Sequence, residues 1–285
     1  TKMSLTSISR LVKDPPPSYV FEFSEEGLAY AHAGRTGFVP FPLGTLQASP
    51  VEDNILKSET VAAMIGRIAP PGGSKRRQAA ILLPDAAARV SVLDFDSFPD
   101  AAGEQMSLVR FRVKKTVPFD IESASVSYYV QPGANHNGKK EVVAATVSLE
   151  VLARYEALFR AAGFQPGDVN VSALSALNLY RGSEGVDVVA KLVGRLLTVM
   201  VVAAGKLKLF RCLELEQASP DEILSVLHPT FAYAEDELGS PARRLILCGF
   251  ENVPAGLPCQ VDTLRSQLGE TNAFNAGLLG YLEGE

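Results

Sequence analysis

The chain opens its regular part with a period of two. Tyr19-Val20-Phe21-Glu22-Phe23 alternates as a strand does, 24–27 reads as a turn, and 28–33 returns as a second strand. The period then lengthens. Val61, Met64, Ile65 and Ile68 follow the i, i+3, i+4, i+7 rule of an amphipathic helix, which the loop Pro70-Pro71-Gly72-Gly73-Ser74 ends. A short apolar run, 79–83, predicts a buried strand stopped by Pro84. Next come a strand over 90–95 and a helical stripe of Met106, Val109, Val113 and Val117, halted by Pro118. Strands are predicted over 123–130 and 141–148, joined by a polar loop with Gly133, Asn135, Asn137 and Gly138. A helix over 149–162 follows, with Leu152, Tyr155, Leu158 and Phe159 as its apolar face and Gly163 as its stop.

The second half starts again with strands. Runs over 186–192, 196–203 and 206–213 are separated by tight glycine-containing turns. Ser219-Pro220-Asp221-Glu222 is a strong helix start: Ser219 caps, Pro220 suits the first turn and Glu222 completes a capping box. That helix is predicted to run to Leu238 with a bend at Pro229. A strand over 244–248 ends in Gly249, and two short helices, 262–268 and 274–282, close the chain. Each half therefore opens with a three-stranded antiparallel meander and then feeds helices and further strands. This predicts an α/β protein of two duplicated lobes around a cleft. Residues 1–17 are polar, end in three prolines and read as a loose arm.

Composition narrows the function. With 285 residues, 47% hydrophobic and 21% charged, the chain is long enough for two cores and is not a disordered polymer. A net charge of −5 argues against a nucleic-acid surface, and the one basic run, Lys75-Arg76-Arg77, reads as a solvated loop before a strand. Cys212, Cys248 and Cys259 have no disulfide or zinc spacing, which suits a reducing compartment. No uncharged apolar stretch reaches membrane-spanning length and no signal peptide is apparent. Met3 reads as a native start, and the abrupt close at Glu283-Gly284-Glu285 suggests the excised soluble part of something longer. His32, His136 and His228 form no ligand spacing, so no metal site is expected. The chain has no Gly-x-Ser-x-Gly elbow and no phosphate loop; Gly72-Gly73-Ser74-Lys75 resembles one only superficially. Acid pairs such as Asp94/Asp96 and Glu25/Glu26 read as exposed turns. No catalytic residues are assigned.

Several segments, in order, resemble a known family. Within 78–130 the chain reads Ala-Ala-Ile-Leu-Leu-Pro-Asp, Val-Ser-Val-Leu-Asp-Phe-Asp-Ser-Phe-Pro, and Lys114-Lys115-Thr116-Val117-Pro118-Phe119-Asp120 followed by Tyr128-Tyr129-Val130. Together with 152–163, 173–181, Lys206-Leu207-Lys208-Leu209-Phe210-Arg211 and Leu245-Ile246-Leu247-Cys248-Gly249, this is similar to the PilM family of type IV pilus assembly proteins, in the actin-like superfamily. The resemblance covers roughly 19–282. It implies a first lobe of 18–85 and 164–182, an inserted small α+β subdomain over 86–163, and a second lobe over 183–285.

The resemblance also locates a nucleotide site, and there the chain departs from the family's pattern. Where the family has Asp-Ile-Gly-Ser/Thr, this chain has Glu22, Phe23, Ser24 and Glu25. At the second turn Leu192 stands in place of an acid, with Gly194 and Thr198 retained. The adenosine-side Gly-Gly is Gly249-Phe250. Carboxylates would meet a triphosphate with like charge, and an aliphatic side chain cannot position Mg²⁺. The expectation is a degenerate site with no cofactor, ATP and Mg²⁺ being the alternative. By the same resemblance, the chain is a cytoplasmic scaffold at the inner face of the inner membrane, beside the pilus motor. It would bind the short tail of a PilN-type membrane protein through Phe98, Lys114, Val117, Pro118, Phe119 and Tyr128. Core packing is the competing reading for these apolar positions. A live actin-like ATPase and a GspL-like cytoplasmic domain of type II secretion remain as alternative functions, with a sugar-kinase-like enzyme more remote.

Overall fold

Alternation between strand and helix periods builds three sheets, and the two larger ones repeat each other. A computed structural model describes residues 17–70, 77–134, 138–182 and 184–284. The proposed arm therefore lies almost wholly outside the described residues, as do Lys75, Arg76, the loop over 71–74 and His136. The elements are β1 (Tyr19–Phe23), β2 (Gly27–His32), β3 (Arg35–Pro40), α1 (Ser58–Ile68), β4 (Arg77–Leu83), β5 (Arg89–Phe95) and α2 (Ala102–Val113). They continue with β6 (Ala124–Ala134), β7 (Lys140–Ser148), α3 (Leu149–Ala161), β8 (Phe164–Val171) and α4 (Ser172–Ala176). The last are β9 (Val186–Val193), β10 (Leu196–Ala203), β11 (Lys206–Glu214), α5 (Pro220–Leu238), β12 (Ala242–Cys248), β13 (Gln260–Thr263) and α6 (Ala276–Gly284).

The first sheet has strand order β3-β2-β1-β4-β8 and the second β11-β10-β9-β12-β13. In each, an antiparallel meander is followed by two strands added in parallel on the far side of its first strand. Because side chains alternate across a strand, each sheet has two buried faces. Tyr19, Phe21 and Phe23 of β1 point outward onto α1 and α3, where Val61, Ile65, Tyr155 and Phe159 complete one core. Val188 and Ala190 of β9 point outward onto α5. The opposite faces, with Val20, Leu82, Val189 and Met200, share a central core with α4 and α6.

A third sheet, β5-β7-β6, packs its own core against α2. It is also tied to the second sheet. The Gln131 side chain exchanges two 2.8 Å hydrogen bonds with the Leu207 backbone, and Glu141 pairs with Lys208 at 2.5 Å and Lys206 at 3.3 Å.

Two local expectations fail, and one strand was not foreseen. Residues 164–171 carry Pro166 and Gly167 and gave no strand signal, yet they form the edge strand β8. It pairs with β4 through a register shift that accommodates the break. Residues 262–268 are not a helix: Gln260–Thr263 pairs in parallel with β12, and neighbouring strand edges outweigh the weak local helix pattern. Val117 lies beyond the end of α2, which stops at Val113. Ser219 does cap α5 in a full capping box with Glu222, and the helix continues through Pro229 to Gly239 in a left-handed cap. Among the described residues no helix is long and apolar enough to cross a membrane.

Candidate functional site

The ends of β1 and β9 meet where the two sheets face each other, and each brings a charge. Glu22 shares the inward face of β1 with Val20. Lys191 shares that of β9 with Val189, opposite Thr198 on β10. Their side chains are 2% and 3% exposed, so neither charge can be left to solvent. Lys191 Nζ donates to Ser172 Oγ at 2.7 Å and to Asp85 Oδ2 at 3.2 Å, and lies 3.8 Å from Glu22 Oε1. Asp85, in the turn after β4, also accepts from Thr198 Oγ1 at 2.9 Å and from the Ala173 backbone N–H at 2.7 Å. Ser172 Oγ donates to Glu22. The backbone N–H groups of Gly277 (3.3 Å) and Leu278 (2.7 Å), in the first turn of α6, donate to the same carboxylate. Glu22 thus occupies a helix N-terminus, a ready anion site.

This network joins both sheets, α4 and α6 through one buried ammonium. Burial raises the Glu22 carboxyl above the ordinary carboxylate value, with Lys191, Ser172 and Leu278 pulling against it. For Lys191 burial opposes the charge, but the Asp85 and Glu22 carboxylates outweigh it and hold the lysine above its usual value. The enclosed space between Glu22, Ser24, Asp85 and Lys191 is about 10 Å³, room for about one water.

The other sequence-predicted cleft residues separate into two groups. Ser24 closes the β1–β2 turn: its Oγ accepts from Gly27 N and donates to Gly27 O, both at 3.1 Å. Glu25 turns away and accepts from Ala48 N at 2.8 Å. Thr198 joins the buried network. Leu192 points to the opposite face of β9 from Lys191. With Gly194, Gly249 and Phe250 it borders a cavity of about 900 Å³ that Glu26 and Phe274 also line. Both glycines have left-handed backbones, φ +57° and +79°. A Cβ at Gly249 would lie 2.1 Å from the Leu192 carbonyl oxygen, so only glycine permits this approach.

Sequence reasoning passed over Lys191, Asp85 and Ser172. A signal existed: Asp187 and Lys191 share one face of an otherwise apolar strand, and buried charges need partners. Asp187 has its own, Arg244 at 2.6 Å and the Tyr180 hydroxyl at 2.7 Å.

The predicted partner-binding residues lie around α2. Tyr128 is buried, donates to Gln105 Oε1 at 2.8 Å and meets Phe98 edge-on at 6.3 Å. Val117 and Phe119 are half-buried in the same core, and Lys114 and Pro118 are exposed. Phe98 precedes α2 and Val117 follows it in the chain, and both pack against the core that α2 covers. Between them Phe111, which sequence reasoning did not select, presents a ring 63% exposed, with Lys115 Nζ at 6.0 Å.

No protein-family profile matches the sequence, and no curated protein matches it. Solved structures do match. The chain is similar to a protein of the PilM–PilN type IV pilus biogenesis complex over 94% of its length and 98% of that chain, with TM-score 0.69 and 17% identity. It is similar to the cytoplasmic domain of EpsL, an inner-membrane component of the type II secretion system of Vibrio cholerae, over 93% of each chain (TM-score 0.53, 13% identity). A Bacteroides thetaiotaomicron protein with an actin-like ATPase fold and unknown function matches over 86% of this chain and 90% of that one (TM-score 0.51, 11% identity). The fold is actin-like. Glu22 and Lys191 come one from each of the two similar sheets of that fold.

In an actin-like ATPase fold a nucleotide with its divalent ion is the group to consider, and the polar groups between β1 and β9 are paired with one another. The Lys191 ammonium is hydrogen-bonded to Asp85 and Ser172. The amides at the start of α6 already hold the Glu22 carboxylate. The space beside Glu22 and Lys191 holds about one water, whereas Leu192, Gly194, Gly249 and Phe250 border the cavity of about 900 Å³.

Proposed function

We propose that this chain is a PilM-like scaffold of a type IV pilus assembly system, an actin-like pseudo-ATPase whose cleft is closed by its own charges. On this reading it works in the cytoplasm at the inner face of the inner membrane, beside the pilus motor. It holds the cytoplasmic tail of a PilN-type membrane protein. The observation that carries the reading is the match across nearly the whole of both chains to the PilM–PilN complex protein, the fullest likeness among the three compared. The buried Glu22–Lys191–Asp85 network supports the pseudo-enzyme part, because the Lys191 ammonium already engages the two carboxylates that a metal ion would otherwise use. Division into 18–85 with 164–182, 86–163, and 183–285 is part of the proposal.

The tail would lie along α2, where the exposed Phe111 ring sits between the Phe98/Tyr128 cluster and Val117-Pro118-Phe119, with Lys114 as a charged anchor. An apolar floor with few polar anchors is what short-peptide capture requires. The second reading is a GspL-like domain of type II secretion, which the EpsL likeness favours. Calorimetric titration with synthetic cytoplasmic tails of a PilN-type and a GspL-partner-type protein tests the choice. Saturable binding of the PilN-type tail, weakened by Phe111→Ala, supports the proposal. Binding of only the other tail would transfer the chain to the second reading.

A further inference from the structure

Beside the buried network, the cavity of about 900 Å³ has an unusual balance of charge. Among the described residues its lining includes two carboxylates, Glu26 and Glu251, and no lysine or arginine. The nearby Arg195 pairs with Glu214 at 2.5 Å on the surface. Two sets of amide donors beside it are already engaged by carboxylates of the chain itself. At the rim, where α5 begins with Pro220, the Glu222 carboxylate accepts from the backbone N–H groups of Glu216 (2.8 Å), Gln217 (3.0 Å) and Ser219 (3.1 Å). Those bonds hold its carboxyl below the usual carboxylate range. At the other side, Glu22 fills the start of α6.

What the cavity offers instead is acceptors and aromatic faces. Glu26 reaches across from the β1–β2 turn and lies over Gly194; a Cβ on that glycine would fall 1.9 Å from Glu26 Oε1. Its Oε2 is shielded from solvent and accepts no hydrogen bond from the described residues, so Oε1 is the oxygen left accessible. Phe250 and Phe274 line the same space, and Phe274 is held in place by stacking on Phe38 at 4.7 Å.

We propose that this cavity receives an arginine side chain of a partner polypeptide. The guanidinium is planar, always charged and able both to pair with a carboxylate and to stack on an aromatic face, which matches the Glu26–Glu251 pair and the two phenylalanines. The exposed Val253 and the apolar Pro220 and Ile223 give the flanking peptide a surface. This second docking point goes beyond the tail groove on α2 and is scored separately from it.

The full chain is titrated with acetyl-Gly-Arg-Gly-amide and with the neutral isostere in which citrulline replaces arginine, followed by amide shifts in NMR. The arginine peptide is expected to bind about 10-fold or more tightly than the citrulline one, a charge-assisted margin, with shifts at Gly194, Gly249 and Phe250. Glu26→Gln is expected to remove that preference. Should Glu26→Gln fail to fold, the wild-type arginine-to-citrulline ratio and the rim variant Glu251→Gln, expected to lower it, carry the same test. Equal affinities, shifts confined to other surfaces, or no saturable binding up to about 10 mM would overturn the proposal. So would competitive displacement of the arginine peptide by Mg-ATP at lower concentration.

Discussion

Replacing Lys191 by methionine keeps most of the side chain's volume and removes its charge. At an effective dielectric of about 20, the ammonium is attracted to Asp85 at 3.2 Å by about 5 kcal/mol and to Glu22 at 3.8 Å by about 4 kcal/mol. Most of this offsets the desolvation of three groups that are all less than 5% exposed, so the intact network contributes little net stability. Breaking it is another matter. Without the lysine, two carboxylates face each other with no cation, and loss of one partner from a buried pair costs about 3–5 kcal/mol. In a chain of this size that is a fall in Tm of about 10 °C. Urea unfolding of wild type, Lys191→Met and the neutralised triple variant Glu22→Gln/Asp85→Asn/Lys191→Met measures it. The single variant is expected to lose about 3–5 kcal/mol and the triple to recover most of that loss. A single variant within about 1 kcal/mol of wild type, or a triple no better than the single, would refute the description of a buried charge lock.

Other consequences follow from the same geometry. Because Lys191 is held above its ordinary value of 10.5, its contribution is complete below that pH and is lost as pH rises through the raised value. The stability difference between wild type and Lys191→Met should therefore be constant from about pH 7 to 10 and shrink above about pH 10.5. Gly280→Ala would place a Cβ 2.1 Å from the Ser175 carbonyl oxygen, where α6 crosses α4. Helix propensity alone would stabilise that change by about 1 kcal/mol, but the clash is expected to outweigh it and cost about 1–3 kcal/mol, read as a lower Tm. Phe111→Ala, on an exposed ring, should leave stability within about 0.5 kcal/mol of wild type while weakening PilN-type tail binding about 10-fold or more in calorimetry.

The second meander and the first two strands of the first could be read from the chain because their periodicity is local, although β3 was not placed, and Ser219-Pro220-Asp221-Glu222 encodes its helix start through four side chains. β8 could not, since Pro166 and Gly167 erase the local pattern and only the waiting edge of β4 makes those residues a strand. β13 fails for the same reason: four residues acquire their conformation from β12. The cleft shows a subtler limit. Counting from the turns pointed to Leu192, one residue past the side chain that faces Glu22, because a slip of one along a strand changes the face. Asp85 and Ser172 lie far from Lys191 in sequence, and only the packing of both sheets on α4 and α6 brings them together. Around α2 the apolar residues chosen from the sequence proved largely to share one core, whereas Phe111 sits off the helical stripe and stays exposed.

The claim that the actin-like cleft is closed by its own charges is met most directly by calorimetric titration of the purified chain with ATP and Mg²⁺. The account predicts no saturable heat up to about millimolar nucleotide, a free energy of binding weaker than about −4 kcal/mol. Stoichiometric binding in the micromolar range would contradict it, because Lys191 would have to yield its place between Glu22 and Asp85, and the chain would then be a working actin-like nucleotide binder.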